Sequence, residues 1–347
     1  MRAIYFSEFN GEISVQDVPQ PQAPKHGVVI KVEATGLCRS DWHGWAGHDS
    51  DIHLPHVPGH ELAGTVFEVG AGVSNFKVGD RITVPFVNGC GKCSFCTSGN
   101  AQVCPSQTQP GFTQWGSFAE YVALENADFN LIALPDEISF QTAAALGCRF
   151  ATAFRGIVDR AKVKKGEWVA IYGCGGVGLS SIMIAKAMGA KVIAVDINPD
   201  ALQKAEELGA DYSINSALND PVTTIRDITE LGAHVSIDAL GSEATANSAV
   251  LSLRRMGRHV QLGLLLTESG QTPMPMSRAI GWEIEILGSH GMAAVDYPRM
   301  LALVASRELK PQDLISREVS LEVGAEELGN MENSKSSGIT IINPSTS

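Results

Sequence analysis

The stretch "VAIYGCGGVGLSSI", Val169–Ile182, decides how the chain is read. Its first half is a β-branched, apolar run that reads as a buried strand. Its second half carries apolar residues at helical spacing. Between them Gly173, Gly175 and Gly178 form the pattern G-x-G-x-x-G. The pattern alone is weak. Set between a strand and a helix, it lets backbone approach a pyrophosphate, with the free N–H groups and positive dipole end of the helix turned toward the phosphates. The next strand, "KVIAVDI", places Asp196 at its end. A carboxylate there accepts the hydroxyls of an adenine ribose and repels a 2′-phosphate. Ile197 and Asn198 offer no base to hold such a phosphate, so NAD is expected over NADP.

The same rhythm continues outward. "YSIN", "HVSIDAL", "RHVQLGL" and "EIEILGS" read as further strands. Helices fall between them, among them "PDALQKAEELG", with Asn198 as N-cap, Pro199 at the first helical position and Gly209 at the end, and "SEATANSAVLSLRRMG". Six strands alternating with helices imply an α/β domain with a doubly wound parallel sheet. Upstream, "VVIKVEATG", "GTVFEVG", "DRITVPF" and "FAEYVAL" are short strands cut by Gly and Pro turns, which predicts an irregular, barrel-like β domain with long loops. After about residue 287 a helix and a final short strand, "SGITIIN", are expected to pack back on the N-terminal domain. The expected division is therefore 1–147, 148–286 and a returning segment, 287–347. A chain of 347 residues with 44% apolar content has material for two cores.

The net charge of −12 argues against nucleic acid, whose binders carry a basic field. The N-terminal residues lack the apolar run of a secretory signal. No stretch approaches the roughly 18 apolar residues of a membrane span. A cytoplasmic protein without a membrane partner is expected. In that reducing compartment stable disulfides are uncommon, and seven cysteines is an odd number.

Four of those seven crowd into "GCGKCSFCTSGNAQVC": Cys90, Cys93, Cys96 and Cys104. Closely spaced thiolates on a loop rich in Gly, Ser and Asn can close a tetrahedron around zinc, and using all four positions makes the site structural. A redox dithiol needs only two cysteines. An iron–sulfur cluster would also accept four thiolates. Zinc fits better because the rest of the chain suggests a second zinc and no electron-transfer partner. That second constellation is dispersed: Cys38 in "GLCRSDWHGW", His60 and Glu61 in "VPGHELAG", and Cys148 in "LGCRFAT". Two thiolates and one imidazole leave a fourth position open, as a catalytic zinc requires. His43, His48, His53 and His56 crowd the same region, and spacing alone does not choose among them.

With the glycine motif, the "GHE" box, the cysteine loop and the domain order in place, the whole chain resembles the zinc-dependent alcohol dehydrogenases of the medium-chain dehydrogenase/reductase superfamily. The resemblance implies a Rossmann doubly wound six-stranded sheet plus a GroES-like β-barrel catalytic domain, NAD, and two zinc ions per chain. It implies Cys38, His60 and Cys148 as catalytic zinc ligands, with Glu61 approaching the metal transiently. Asp41 matches the carboxylate that orients the zinc-bound imidazole. Ser40 matches the hydroxyl that takes the alcohol proton, and His43 the imidazole that passes it outward. Arg39 and Thr152 match residues at the pyrophosphate and the nicotinamide, and Gly176, Val177 and Leu264 join the cofactor surface. A homotetramer is implied, with a homodimer as the lesser form.

One departure is visible. Many relatives carry Arg after the Gly of a "GR" pair in the last strand, where this chain has Ile339 after Gly338 in "KSSGITIIN". Looser NAD binding is expected, to be tightened by Ile339→Arg. Trp42 and Trp115 are expected to wall an apolar substrate pocket, with Trp45 nearby. Such a pocket favours aliphatic or aromatic primary (or secondary) alcohols over polyols, oxidised reversibly to aldehyde or ketone. The alternatives are a polyol or amino-alcohol dehydrogenase and a non-catalytic NAD- and zinc-binding protein.

Overall fold

The computed structural model describes residues 1–266, 271–332 and 338–346. It divides into two units: Met1–Ala151 with Gly291–Arg307 and Pro311–Ser347, and Thr152–His290 with Glu308–Lys310. The first boundary lies inside the helix Cys148–Arg155, four residues beyond the expected 147, because Glu61 holds the first turn of that helix through Arg149. The second lies at 290, not 286, because the last strand of the six-stranded parallel sheet runs Glu285–Gly288.

The second unit holds six strands: β1 (Trp168–Tyr172), β2 (Lys191–Asp196), β3 (Tyr212–Asn215), β4 (Ala233–Asp238), β5 (Leu253–Gln261) and β6 (Glu285–Gly288). They are parallel throughout, in the spatial order β3-β2-β1-β4-β5-β6. The central strands are apolar on both faces, as a sheet covered by helices on both sides requires. Ala170, Tyr172, Ile193, Val195, Ile214 and Leu253 join one buried cluster. Asn198 caps the helix Pro199–Glu207 by accepting from the Asp200 N–H, 3.0 Å away. The expected helix "SEATANSAVLSLRRMG" stops early. It spans Glu243–Leu251, and Leu253 starts β5 because its side chain joins the sheet core while Ala233 N–H bonds the Ser252 carbonyl.

The other unit is built on a mixed sheet around Val28–Leu37, which pairs antiparallel with Glu61–Val69, Tyr121–Leu124 and Ile339–Ile342. Val28, Ile30, Val32, Leu62, Val66, Ile82 and Val122 fill its core. The returning segment carries more than expected. Besides the helix Tyr297–Ala305 it adds the strand Ile315–Val319, parallel to Ile339–Ile342, and the helix Leu321–Asn330. No helix of the described residues is long and apolar enough to cross a membrane.

Candidate active site

Three segments of the first unit bring Cys38, His60, Glu61 and Cys148 together, their ligand atoms all within 4.8 Å of one another. Cys38 follows the central strand Val28–Leu37 and is the N-cap of the helix Arg39–Trp45. His60 precedes the strand Glu61–Val69. The residue before it, Gly59, has φ +104, and a Cβ there would stand 2.4 Å from the Phe118 ring, so only glycine delivers His60 at this angle.

Asp41 fastens these segments. Fully buried, it accepts hydrogen bonds from the Cys38 N–H (3.0 Å), the Gly59 N–H (3.0 Å) and His60 Nδ1 (2.8 Å). In the neutral ring this bond puts the proton on Nδ1 and leaves Nε2 as the lone-pair nitrogen, the form a metal would take up. That Nε2 is buried and has no hydrogen-bond partner. A buried bare nitrogen beside two thiols fits zinc, which prefers imidazole and thiolate ligands. Burial works against protonation of His60, yet the Asp41 carboxylate and Cys38 together hold it well above the usual imidazole range. The hydrogen bond from Cys148 holds the Cys38 thiol well below its usual range, and the same bond, with burial, pushes Cys148 up. Glu61 is drawn aside: Arg149 donates to it from its backbone N–H (3.0 Å), its Nε (3.1 Å) and a terminal guanidinium nitrogen.

Ser40 lies next to Cys38, with Oγ 3.8 Å from Sγ. His43 is half-buried, and its Nδ1 meets His48 Nδ1 at 2.9 Å. Arg39 is exposed, donates to the Met331 carbonyl at 3.4 Å and lies 5.4 Å from the Trp42 ring. Trp42 packs with Leu37, Leu321 and Leu328 and touches both histidines. Trp115 sits elsewhere, against Tyr5, with its indole N–H on the Pro55 carbonyl. Trp45 bonds the Gly11 carbonyl. The rings that face His60 are Phe112, 5.0 Å away between centroids, and Phe86, 6.0 Å away. Sequence reasoning passed over both, since an isolated Phe in a Gly-rich loop carries no spacing signal.

The four loop cysteines also converge within 4.8 Å. Cys93 and Cys104 sulfurs stand 3.7 Å apart, and those of Cys90 and Cys96 4.0 Å. Zinc–sulfur bonds of about 2.3 Å put tetrahedral sulfurs about 3.8 Å apart, so the set fits a closed zinc site. Backbone N–H groups of Lys92 and Cys93 lower the Cys90 thiol to about 6, whereas burial raises Cys96 to about 12.

In the cofactor unit the turn after β1 is tight. A Cβ on Gly178 would fall 1.8 Å from the Gly173 carbonyl oxygen, so the helix Gly176–Ala187 could not begin where it does with any other residue. A Cβ on Gly175 would meet nothing within 4 Å. That open ground before a helix N-terminus fits a dinucleotide pyrophosphate. Gly176 and Val177 carbonyls accept the Ser180 and Ser181 hydroxyls, at 2.7 and 2.8 Å. Asp196 accepts from the Cys174 N–H (2.6 Å) and the Asn198 N–H (2.9 Å), which locks it beside the turn. Ile197, Leu240 and Leu264 expose apolar side chains in the loops after β2, β4 and β5, a feature the sequence reading caught only at Leu264. Thr152, nearly buried, begins this unit, its carbonyl accepting the Ser289 hydroxyl at 3.4 Å. Ile339 is fully buried in its strand, and Lys335–Ser337 of the same quoted stretch lie outside the described residues.

Two family models match the chain: an alcohol dehydrogenase GroES-like domain over residues 24–136 and a zinc-binding dehydrogenase over residues 176–306. An alcohol dehydrogenase of Geobacillus stearothermophilus is 33% identical over 345 residues, 99% of this chain and 98% of that protein. A sorbitol dehydrogenase of Halalkalibacterium halodurans is 33% identical over 90% of this chain and 90% of its own. Among solved structures an NAD-dependent alcohol dehydrogenase superposes with a TM-score of 0.88 at 30% identity, with 99% of both chains covered. The chain belongs to the zinc-dependent alcohol dehydrogenases of the medium-chain dehydrogenase/reductase superfamily.

Proposed function

We propose that this protein transfers hydride reversibly between a primary or secondary alcohol and NAD, with one zinc ion on Cys38, His60 and Cys148 and a second on the four loop cysteines. The observation that carries the reading is the bare, buried Nε2 of His60 beside two thiols. Zinc bound there lowers the pKa of an alcohol hydroxyl, and NAD accepts the hydride. The chain's own residues do the rest. Asp41 aims the imidazole, and Arg149 holds Glu61 aside so that a fourth position stays open. Ser40 takes the hydroxyl proton and His43 carries it outward. Phe86 and Phe112 give an apolar wall that favours a monohydric alcohol over a polyol. Asp196 favours NAD over NADP, since its charge opposes a 2′-phosphate. Exposed Ile280, on the helix Met276–Trp282, and Ile286, in the edge strand β6, support assembly through the cofactor unit, the expected form being a cytoplasmic homotetramer.

NADH formation is measured with aliphatic, aromatic and polyhydric alcohols, with zinc content determined in parallel for the wild type and Cys148→Ala. The expected result is turnover of a monohydric alcohol and two zinc ions per chain, with activity and one zinc lost in the variant. Turnover of polyols alone would transfer the assignment to that class. Absence of any turnover, with NAD and zinc bound, would sink the catalytic reading.

A further inference from the structure

We propose that His48 is the solvent-side end of the proton path that begins at Ser40 and His43, an assignment that rests on the alcohol-oxidation reading above. The helix Arg39–Trp45 leaves His43 half-buried in its last turn. Gly47, with φ +79, then turns the chain back. The His48 N–H bonds the His43 carbonyl at 2.9 Å, and the two rings come to 5.2 Å between centroids with Nδ1 facing Nδ1 at 2.9 Å. Trp42 holds both rings edge-on, 5.0 Å from His43 and 5.6 Å from His48. His48 is exposed and His43 is not.

Two facing Nδ1 atoms at hydrogen-bond distance share one proton, so one ring donates and the other accepts. With His43 donating, its Nε2 is a free base and His48 carries its proton on Nε2. A proton that arrives at His43 Nε2 forms an N–H bond there. The Nδ1–H bond of His43 then breaks as one forms at His48 Nδ1, and the Nε2–H bond of His48 breaks, releasing a proton to water. One proton enters, one leaves, and no electrons are transferred. The tautomers reset by exchange with water after product departs.

Burial, then the charges of His48 and Arg39, hold His43 below the usual imidazole range, against a smaller opposing pull from Cys38. A proton on His43 therefore moves on rather than resting there. In the packed helix Leu321–Asn330, Glu322 and one oxygen of Glu327 are engaged by Arg2 and Arg317, and Glu326 lies exposed.

The test uses the zinc-loaded enzyme, His48→Gln and His43→Gln, and reads the rate of the first NADH burst against pH. Gln can accept the His43 hydrogen bond and cannot carry a proton. Near pH 6.5, where imidazole titrates, His48→Gln should slow the burst about tenfold, less than a directly reacting base contributes. The deficit should close at high pH, where hydroxide takes the proton from His43, and added imidazole should restore the variant but not speed the wild type. Nitrogen-15 spectra of the unreacted wild type should show one Nδ1 proton coupled to both rings, a readout independent of turnover and of whether a variant folds. An unchanged profile in His48→Gln, with His43→Gln slowed, would end the path at His43 and overturn the proposal. If both variants matched the wild type, the relay reading itself would fall. Separate, uncoupled ring protons would also overturn the pairing.

Discussion

At Asp41 a single carboxylate receives three N–H groups that come from two segments far apart in the chain. An ionised carboxylate is an acceptor only, so all three donors are met without a competing hydrogen. Asn would turn an NH2 group against one of them. Asp41→Asn is therefore expected to weaken zinc at the Cys38–His60–Cys148 site by roughly 10- to 100-fold, the usual loss when a ligand's supporting partner is altered. Competition with a chromogenic chelator measures it; an unchanged affinity would mean that Gly59 and the ring packing alone orient His60. The sequence shows why Asp41 could be named and Phe112 could not. Asp41 sits three residues from Cys38 within one short motif, whereas Phe112 reaches His60 through the folding of a loop with no local pattern.

At the scale of elements, the returning strand Ile339–Ile342 argues for a different outcome at Ile339. Ile339 has no exposed surface and stands opposite Ile315 in a parallel ladder. A guanidinium placed there loses its hydration, which costs on the order of several kcal/mol for an unpaired ion. Ile339→Arg should then lower the melting temperature and leave NAD affinity no tighter, the reverse of what the missing "GR" arginine suggested. Calorimetry together with an NADH fluorescence titration decides it; a tighter Kd at unchanged stability would show that the guanidinium reaches the cofactor. Strands that are buried on both faces announced themselves in sequence, as β1 and β2 did. The strand Ile315–Val319 did not, because its three central residues, Ser316, Arg317 and Glu318, are polar and exposed. The helix Pro221–Thr229 was overlooked although Asp220 and Pro221 form a standard helix start, and Asp220 does accept from the Thr223 N–H at 2.9 Å.

For the whole molecule the division of labour follows the chain. Both candidate zinc sites belong to the unit built on Val28–Leu37, and the glycine turn with Asp196 belongs to the other. Stripping the metal should abolish turnover and lower the melting temperature while the NADH fluorescence titration stays as it was. Loss of NADH binding on chelation would show that the metal also maintains the cofactor surface. The two-unit plan was legible because the hydrophobic period changes near residue 166, from short alternating runs to strand–helix pairs. The boundaries within Cys148–Arg155 and after Gly288 were not, since they depend on where Arg149 finds its carboxylate and where β6 stops pairing.

That division also sets an order in time. The cofactor sheet lies in one unbroken stretch, so β1 to β6 can assemble as that stretch leaves the ribosome. The central strand of the other unit is made early, and Leu37 gains its ladder partner Thr340 only near the end of synthesis. Cys38 follows Leu37 directly, so this proposed zinc ligand waits, next to an open strand end, through most of the chain's synthesis. A chaperone or early zinc capture during translation would shield that open strand end from wrong partners and the neighbouring thiol from oxidation.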